Sequence, residues 1–140
     1  MALFVVSGAL GLGYQSVWMR RLSLVLGGSA MATAVVVSTF MAGLALGAWW
    51  VQWRRPRGSA VTAYAALEAF AALWALGFPF LLDLLGPMSV NWRGGRTALS
   101  IALLIPPTTM LGATWPLLAR AAGARVATGL YAANTVGAVF

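Results

Sequence analysis

The chain contains no cysteine, no histidine and no lysine, and its only acidic residues are Glu68 and Asp83. Without cysteine it can form neither a disulfide nor a thiolate metal site. Without histidine it lacks the commonest general base and the commonest axial ligand of a haem. We therefore expect no catalytic residues, no metal site and no covalent or histidine-ligated cofactor.

Charge of either sign is scarce. Charged residues make up 8% of the 140 residues, hydrophobic residues make up 61%, and the mean hydropathy is +0.88. A soluble domain carries roughly 25% charged residues. Because so few charges cannot cover a water-exposed surface, we expect most of the surface to contact lipid. If a pigment is bound, we expect apolar faces of the helices to contact it.

Long uncharged stretches predict an all-α fold, a multi-pass transmembrane helix bundle. A spanning helix needs about 20 mostly apolar residues, and the alternating pattern of a membrane barrel is missing. We predict a single transmembrane domain over residues 1–140. Its spans are expected near 2–19, 30–53, 59–83 and 97–119, with the start of a fifth helix near 127–140.

The net charge of +7 comes from nine arginines that stand in small groups between apolar stretches. This layout is typical of membrane-flanking loops, where arginine anchors to headgroups, and it argues against a nucleic-acid surface. The tight group from Arg54 to Arg57 favours the cytoplasmic side. We predict a location in the bacterial cytoplasmic membrane, with the N-terminus in the cytoplasm.

Small residues mark candidate helix contacts at Gly8, Gly43, Gly47 and Gly112. Gly43 and Gly47 form a GxxxG motif, which lets two helix backbones approach closely. The motif favours either a dimerisation face or packing within the chain's own bundle, and GxxxG alone more often means the latter.

Glu68 lies nine residues into the third predicted span, about 14 Å along the helix at ~1.5 Å per residue. A carboxylate at that depth costs several kcal/mol unless it is paired or protonated. Glu68 is therefore expected to be either a site for a cationic ligand or a proton, or a structural residue that pairs with an arginine such as Arg20 or Arg21 or makes a hydrogen bond to a neighbouring helix.

Pro106 and Pro107 fall in the middle of the fourth predicted span. Each proline removes a backbone donor, so freed carbonyls need Thr108, Thr109, Thr114, water or a ligand. Such a pair indicates either an ordinary kink or a broken helix of the kind that marks binding sites in transporters. The candidate intramembrane polar or ligand site comprises Glu68, Gln15, Arg20, Thr108, Thr109 and Asn134.

Five motifs follow one another along nearly the whole chain, at 7–20, 40–47, 67–68, 107–120 and 130–138. The Gly-Ala-Thr-Trp-Pro and Tyr-Ala-Ala-Asn-Thr-Val-Gly-Ala stretches are the most specific when they occur together. In this order the motifs resemble the N-terminal membrane domain of bacterial spermidine synthase-like (polyamine aminopropyltransferase-like) integral membrane proteins.

In that family the membrane domain precedes a soluble aminopropyltransferase-like domain, which holds the catalytic groups and the site for decarboxylated S-adenosylmethionine. Nothing in this sequence matches the soluble domain, so the resemblance implies a membrane module without an enzyme. Glu68 and Arg20 match the family pattern, whereas Gln15 stands where the family carries glutamate. The family continues with further helices past the Asn134-Thr135 motif.

The sequence favours a non-catalytic integral membrane subunit that packs in and stabilises a larger complex, respiratory or photosynthetic. The alternatives are half of a transporter-like or polyamine-handling domain, with Glu68 meeting a cationic substrate, and the membrane anchor of a separately encoded aminopropyltransferase. In each case the expected partners are membrane lipids and other integral membrane proteins, with no nucleic acid.

Overall fold

A computed structural model describes residues 2–28, 30–54, 58–91 and 94–139. Within these residues the chain forms five α-helices and one short 3-10 helix at Pro87–Asn91, which confirms the all-α prediction. The α-helices are α1 (Ala2–Leu26), α2 (Ala30–Arg54), α3 (Ala60–Leu85), α4 (Gly95–Ala122) and α5 (Ala124–Val139). Arg55, Pro56 and Arg57, on which the orientation was predicted, lie outside the described residues, as do Trp92 and Arg93.

Among the described residues, three helices are long and apolar enough to cross a membrane, namely α2, α3 and α4. Their 25, 26 and 28 residues reach about 37–42 Å at ~1.5 Å per residue, more than the roughly 30 Å of hydrocarbon in a bilayer. This is the arrangement expected of a multi-pass membrane protein.

Helix α1 extends beyond the span predicted at 2–19 and continues through Arg20 and Arg21 to Leu26. Both arginine side chains are exposed, and near a helix end such side chains can reach the headgroups. The helix ends where the N–H of Gly28 donates to the carbonyl of Ser23 at 2.6 Å. Gly27, at φ 90°, supplies the left-handed conformation that this C-terminal turn requires.

Helix α4 lies at the centre of the bundle and contacts the other four α-helices, most extensively α2 and α3. The contact with α2 is built on glycine. A Cβ added at Gly43 would collide with the side chain of Thr108, and one at Gly112 would collide with the backbone of Leu44. The structure thus places the GxxxG glycines inside this chain's own bundle, against α4.

The largest apolar core lies in the half of the bundle where α1 ends and α2 begins. Trp18 of α1 stacks on Phe78 of α3, with ring centroids 5.4 Å apart. This packed half consists of the buried residues Trp18, Leu22, Val36, Phe40, Phe78, Leu82, Leu103 and Leu104. A smaller cluster of Val51, Ala113 and Leu117 lies toward the opposite end.

Helix α4 runs without interruption through Pro106, Pro107 and Pro116, so the broken-helix alternative is not what the structure shows. Pro107 cannot donate to the carbonyl of Leu103, four residues earlier. The indole Nε1–H of Trp74 on α3 donates to that carbonyl instead, at 3.0 Å. For the Leu103 carbonyl, a tryptophan from a neighbouring helix is therefore the donor, where the sequence suggested threonine, water or a ligand.

Candidate functional site

A polar cleft runs through the half of the bundle that the large core leaves unfilled. It consists of two adjoining cavities of about 140 Å³ and 230 Å³. Both cavities are lined by Glu68, Leu111, Thr114 and Asn134. We refer to the two together as the Glu68 cleft.

Each helix contributes one face to the Glu68 cleft, because lining residues recur at the three- and four-residue spacings that share a side of a helix. Helix α3 provides Tyr64 and Glu68, and α5 provides Tyr131 and Asn134. The remaining lining residues are Gly8, Gly11, Leu12 and Gln15 of α1, Phe40 and Leu44 of α2, and Leu111, Thr114, Trp115 and Leu118 of α4.

The polar groups of the cleft come from four different helices. Glu68, Gln15, Thr114 and Asn134 are all half-buried, so each is withdrawn from the surface while still reaching the cavities. Glu68 supplies a carboxylate, and the two amides and the hydroxyl supply neutral oxygen acceptors. Such a set, with one negative charge and several neutral oxygens, suits a cation better than an anion.

Thr114 is held in a defined orientation. Its hydroxyl donates to the carbonyl of Leu111 on the same helix at 2.6 Å. The donated proton is therefore committed to the helix backbone, while the hydroxyl oxygen keeps lone pairs with which to accept. This oxygen can therefore accept a hydrogen bond from an N–H group of a ligand.

Aromatic rings form one wall of the cleft. Trp115 and Tyr131 meet edge to face, with ring centroids 5.0 Å apart and an interplanar angle of 62°. Trp115 is 38% exposed and Tyr131 is 56% exposed, so this wall reaches the outer surface of the bundle. The cleft is therefore open to the outside of the bundle beside these two rings.

The close contact between α1 and α5 brings two of the polar residues together. A Cβ at Gly8 would collide with the backbone carbonyl of Asn134, and one at Gly137 would collide with the carbonyl of Val5. Since only glycine allows this approach, Gly8 and Gly137 position the Asn134 side of α5 beside the α1 face that carries Gln15.

The structure brings together three of the six residues predicted for the polar site, namely Glu68, Gln15 and Asn134. Arg20 lies five residues beyond Gln15 on α1, toward the packed half, and does not line either cavity of the described part of the chain.

Thr108 and Thr109 lie against α2 rather than in the cleft. Thr108 is fully buried, and its hydroxyl donates to the carbonyl of Leu104 at 2.7 Å. The backbone of Thr109 contacts Gly47, and its buried hydroxyl makes no hydrogen bond with the described residues. These two threonines therefore belong to the α2–α4 contact.

Among the lining residues outside the predicted polar set, four carry a hydroxyl group or an indole ring: Tyr64, Thr114, Trp115 and Tyr131. Helical spacing could have indicated two of them. Tyr64 precedes Glu68 by one turn, and Tyr131 precedes Asn134 by three residues, so each shares a helix face with a residue that was singled out. Thr114 and Trp115 lie within the Gly-Ala-Thr-Trp-Pro motif.

No group of three or more histidine, cysteine, aspartate or glutamate residues that could hold a metal ion occurs in the part of the chain that the structure describes. Comparison of the chain with protein-family models, with curated proteins and with solved structures finds no match.

Proposed function

We propose that this chain is a membrane-embedded module that binds the cationic group of a ligand in the Glu68 cleft. The observation that carries the proposal is the convergence of Glu68 with Gln15, Thr114 and Asn134 from three other helices on adjoining cavities. In a region of low dielectric a carboxylate attracts a cation far more strongly than it does in water, and intramembrane ionisable residues commonly mark ligand or ion sites.

The membrane setting is part of the same proposal. Helix α1 has the 25 residues of a span and carries no charge before Arg20, so we assign it as a fourth span and α5 as the start of a fifth. The module resides in the bacterial cytoplasmic membrane, with the arginine groups at both ends of the bundle contacting lipid headgroups.

The resemblance to spermidine synthase-like membrane domains agrees with a cationic ligand, since a polyamine is a natural candidate for such a module. It also leaves a place for the module as the membrane anchor of a separately encoded aminopropyltransferase. In either case this chain binds the ligand and does not itself catalyse a reaction.

Calorimetric titration of the protein in dodecylmaltoside micelles tests the proposal, with n-octylammonium and spermidine as separate probes. We expect saturable, one-to-one binding of at least one cation by the parent protein and its loss in Glu68→Gln. Asp83→Asn is the matched control, because it removes the other acidic charge from an exposed position near the far end of α3. Binding of neither cation, or equal binding by Glu68→Gln, would overturn the proposal.

A second candidate is the non-catalytic subunit of a respiratory or photosynthetic membrane complex. The observation that favours it is a row of exposed small residues on α2, formed by Ala34, Ser38, Ala42 and Ala45. While Gly43 and Gly47 are buried against α4, this outer face allows close approach of a helix from another protein.

Purification in mild detergent separates the two candidates. The subunit hypothesis predicts a stoichiometric partner that is lost in Ala42→Leu, because the larger side chain blocks close helix approach. Ala72→Leu, at an exposed position on α3, serves as the matched control. A chain that purifies alone, with no stoichiometric partner, would count against this candidate and leave the cation-binding module standing.

A further inference from the structure

We infer that the Glu68 cleft selects an amphiphile with one ammonium charge and an apolar tail, rather than a polyamine. This inference rests on the proposed function and specifies its ligand class. It is carried by the charge inventory of the chain, the aromatic wall of the cleft and the direction in which the cleft opens.

The sequence provides one carboxylate for the cleft. Glu68 and Asp83 are the only acids in the sequence. Asp83 follows Glu68 by 15 positions on α3, about 22 Å along the helix at ~1.5 Å per residue. In a ligand with two positive charges close together, the second charge would lie inside the span without a carboxylate to compensate it. Placing an uncompensated charge there is energetically costly.

The size of the cavities agrees with a headgroup. Each cavity taken alone, at about 140 Å³ or 230 Å³, is smaller than the roughly 300–1,000 Å³ of sites that enclose a drug-sized ligand, and the two together reach only the lower end of that range. The cleft is thus large enough for an ammonium group and its first carbons, while the rest of the ligand extends outside.

The aromatic wall suits an alkylammonium head. Trp115 and Tyr131 line the same cavity as Glu68, and a ring face attracts a cation through its quadrupole, most strongly when the ring is tryptophan. Carboxylate and rings together recognise a positive centre surrounded by carbon, which distinguishes an alkylammonium from a small hydrated metal cation.

The opening of the cleft favours a tail. Leu111 and Leu118 are apolar lining residues next to Trp115 and Tyr131, whose exposure brings the cavity to the outer surface of the bundle. An alkyl chain leaving the cleft here passes directly into the acyl region of the bilayer. A water-soluble amine would gain nothing from this arrangement.

Four probes separate these features when titrated into the parent protein in dodecylmaltoside micelles. They are n-octylammonium, 1,8-diaminooctane in its doubly charged form, n-octanol and ethylammonium. Relative to n-octylammonium, 1,8-diaminooctane adds a second charge at the same chain length, n-octanol lacks the charge, and ethylammonium lacks the long tail. We expect octylammonium to bind at one site and each of the other three to bind at least ten-fold more weakly.

Two pairs of variants, each with its own control, locate the site. Glu68→Gln is expected to weaken octylammonium binding at least ten-fold, whereas Asp83→Asn leaves it unchanged. Trp115→Leu is expected to weaken it about five-fold, while Trp115→Phe, which keeps an aromatic face, retains most of the affinity. The four-probe comparison in the parent protein decides the ligand class even where a variant folds poorly.

The outcomes distinguish the inference from the function on which it rests. Glu68-dependent binding of 1,8-diaminooctane that equals or exceeds that of octylammonium would overturn the single-charge assignment and leave the cation-binding module intact. If ethylammonium bound as tightly as octylammonium, the inference that the ligand carries an apolar tail would be wrong. Absence of saturable, Glu68-dependent binding for every cation would overturn both the inference and the proposed function.

Discussion

The two halves of the bundle are built in different ways. In the packed half, large side chains from four helices meet in one apolar core, with Trp18 stacked on Phe78 at its centre. In the other half the buried cluster is small, helix backbones approach through glycine, and a polar cleft remains between them.

This difference separates stability from function. Tight packing of large side chains stabilises a membrane bundle through van der Waals contacts, because lipid offers no hydrophobic drive between helices. A cavity gives up such contacts, so the helices around the Glu68 cleft rely on their glycine contacts. We expect substitutions in the packed half to change stability, and substitutions in the cleft to change binding.

The largest effect on stability is expected from Phe78→Ala. Phe78 is 1% exposed, and removing a buried phenylalanine ring typically costs about 3–5 kcal/mol. Reversible unfolding in mixed micelles with increasing dodecyl sulfate measures the change in free energy. Phe80→Ala, at a position that is 76% exposed, should leave that free energy nearly unchanged, and equal effects of the two variants would contradict the described core.

The next largest effect is expected from Gly112→Ala, which tests the close contact between α2 and α4. The added Cβ meets the backbone of Leu44 on α2, so α2 and α4 must move apart, at a cost of about 1–3 kcal/mol. Gly13→Ala is the matched control, because a Cβ there meets nothing within 4 Å. The same unfolding assay should show destabilisation only for the first variant.

A smaller effect is expected from Trp74→Phe. The substitution keeps an aromatic ring beside Phe70 but removes the Nε1–H that donates to the Leu103 carbonyl. Hydrogen bonds between membrane helices contribute about 1 kcal/mol or less, so we expect destabilisation of that order. Trp53→Phe, at an exposed position at the end of α2, controls for the change of residue type. Equal unfolding curves for Trp74→Phe and the parent would show that this bond does not support α4.

The smallest effect on stability is expected from Glu68→Gln, although it should abolish cation binding. Glutamine preserves the size and much of the hydrogen-bonding capacity of the side chain, and half-buried positions outside a packed core tolerate such changes within about 1 kcal/mol. Unfolding in dodecyl sulfate should therefore place this variant close to the parent. A loss as large as that of Phe78→Ala would mean that Glu68 is a structural residue.

Most of the fold could be predicted from the sequence because lipid restricts the choice of structure. Apolar stretches of span length must be helical, and α2 and α3 begin and end within two residues of their predicted limits. The end of α1 could not be predicted in this way, because charge marks the edge of the hydrocarbon and not the end of a helix. Arg20 and Arg21 therefore lie inside α1.

The site was predicted less completely, because its composition depends on how the helices pack against one another. Glu68 was singled out because a charge in a span is conspicuous, and Gln15 and Asn134 were singled out with it. Thr108 and Thr109 are candidates because they follow the prolines, yet whether they face the cleft or another helix depends on where α2 packs against α4. Local sequence does not encode that contact, so it could not separate them from Thr114, which lies on the side of α4 that lines the cleft.

In the proposed membrane setting, the opening beside Trp115 and Tyr131 has a consequence for the ligand concentration that the protein meets. A ligand that enters there equilibrates first between water and bilayer, and only its membrane-dissolved fraction meets the protein. Its apparent affinity in water is then the product of a partition coefficient and an intrinsic constant. Each added methylene should strengthen apparent binding through partitioning, by about 0.8 kcal/mol, while the contacts made in the cleft stay the same.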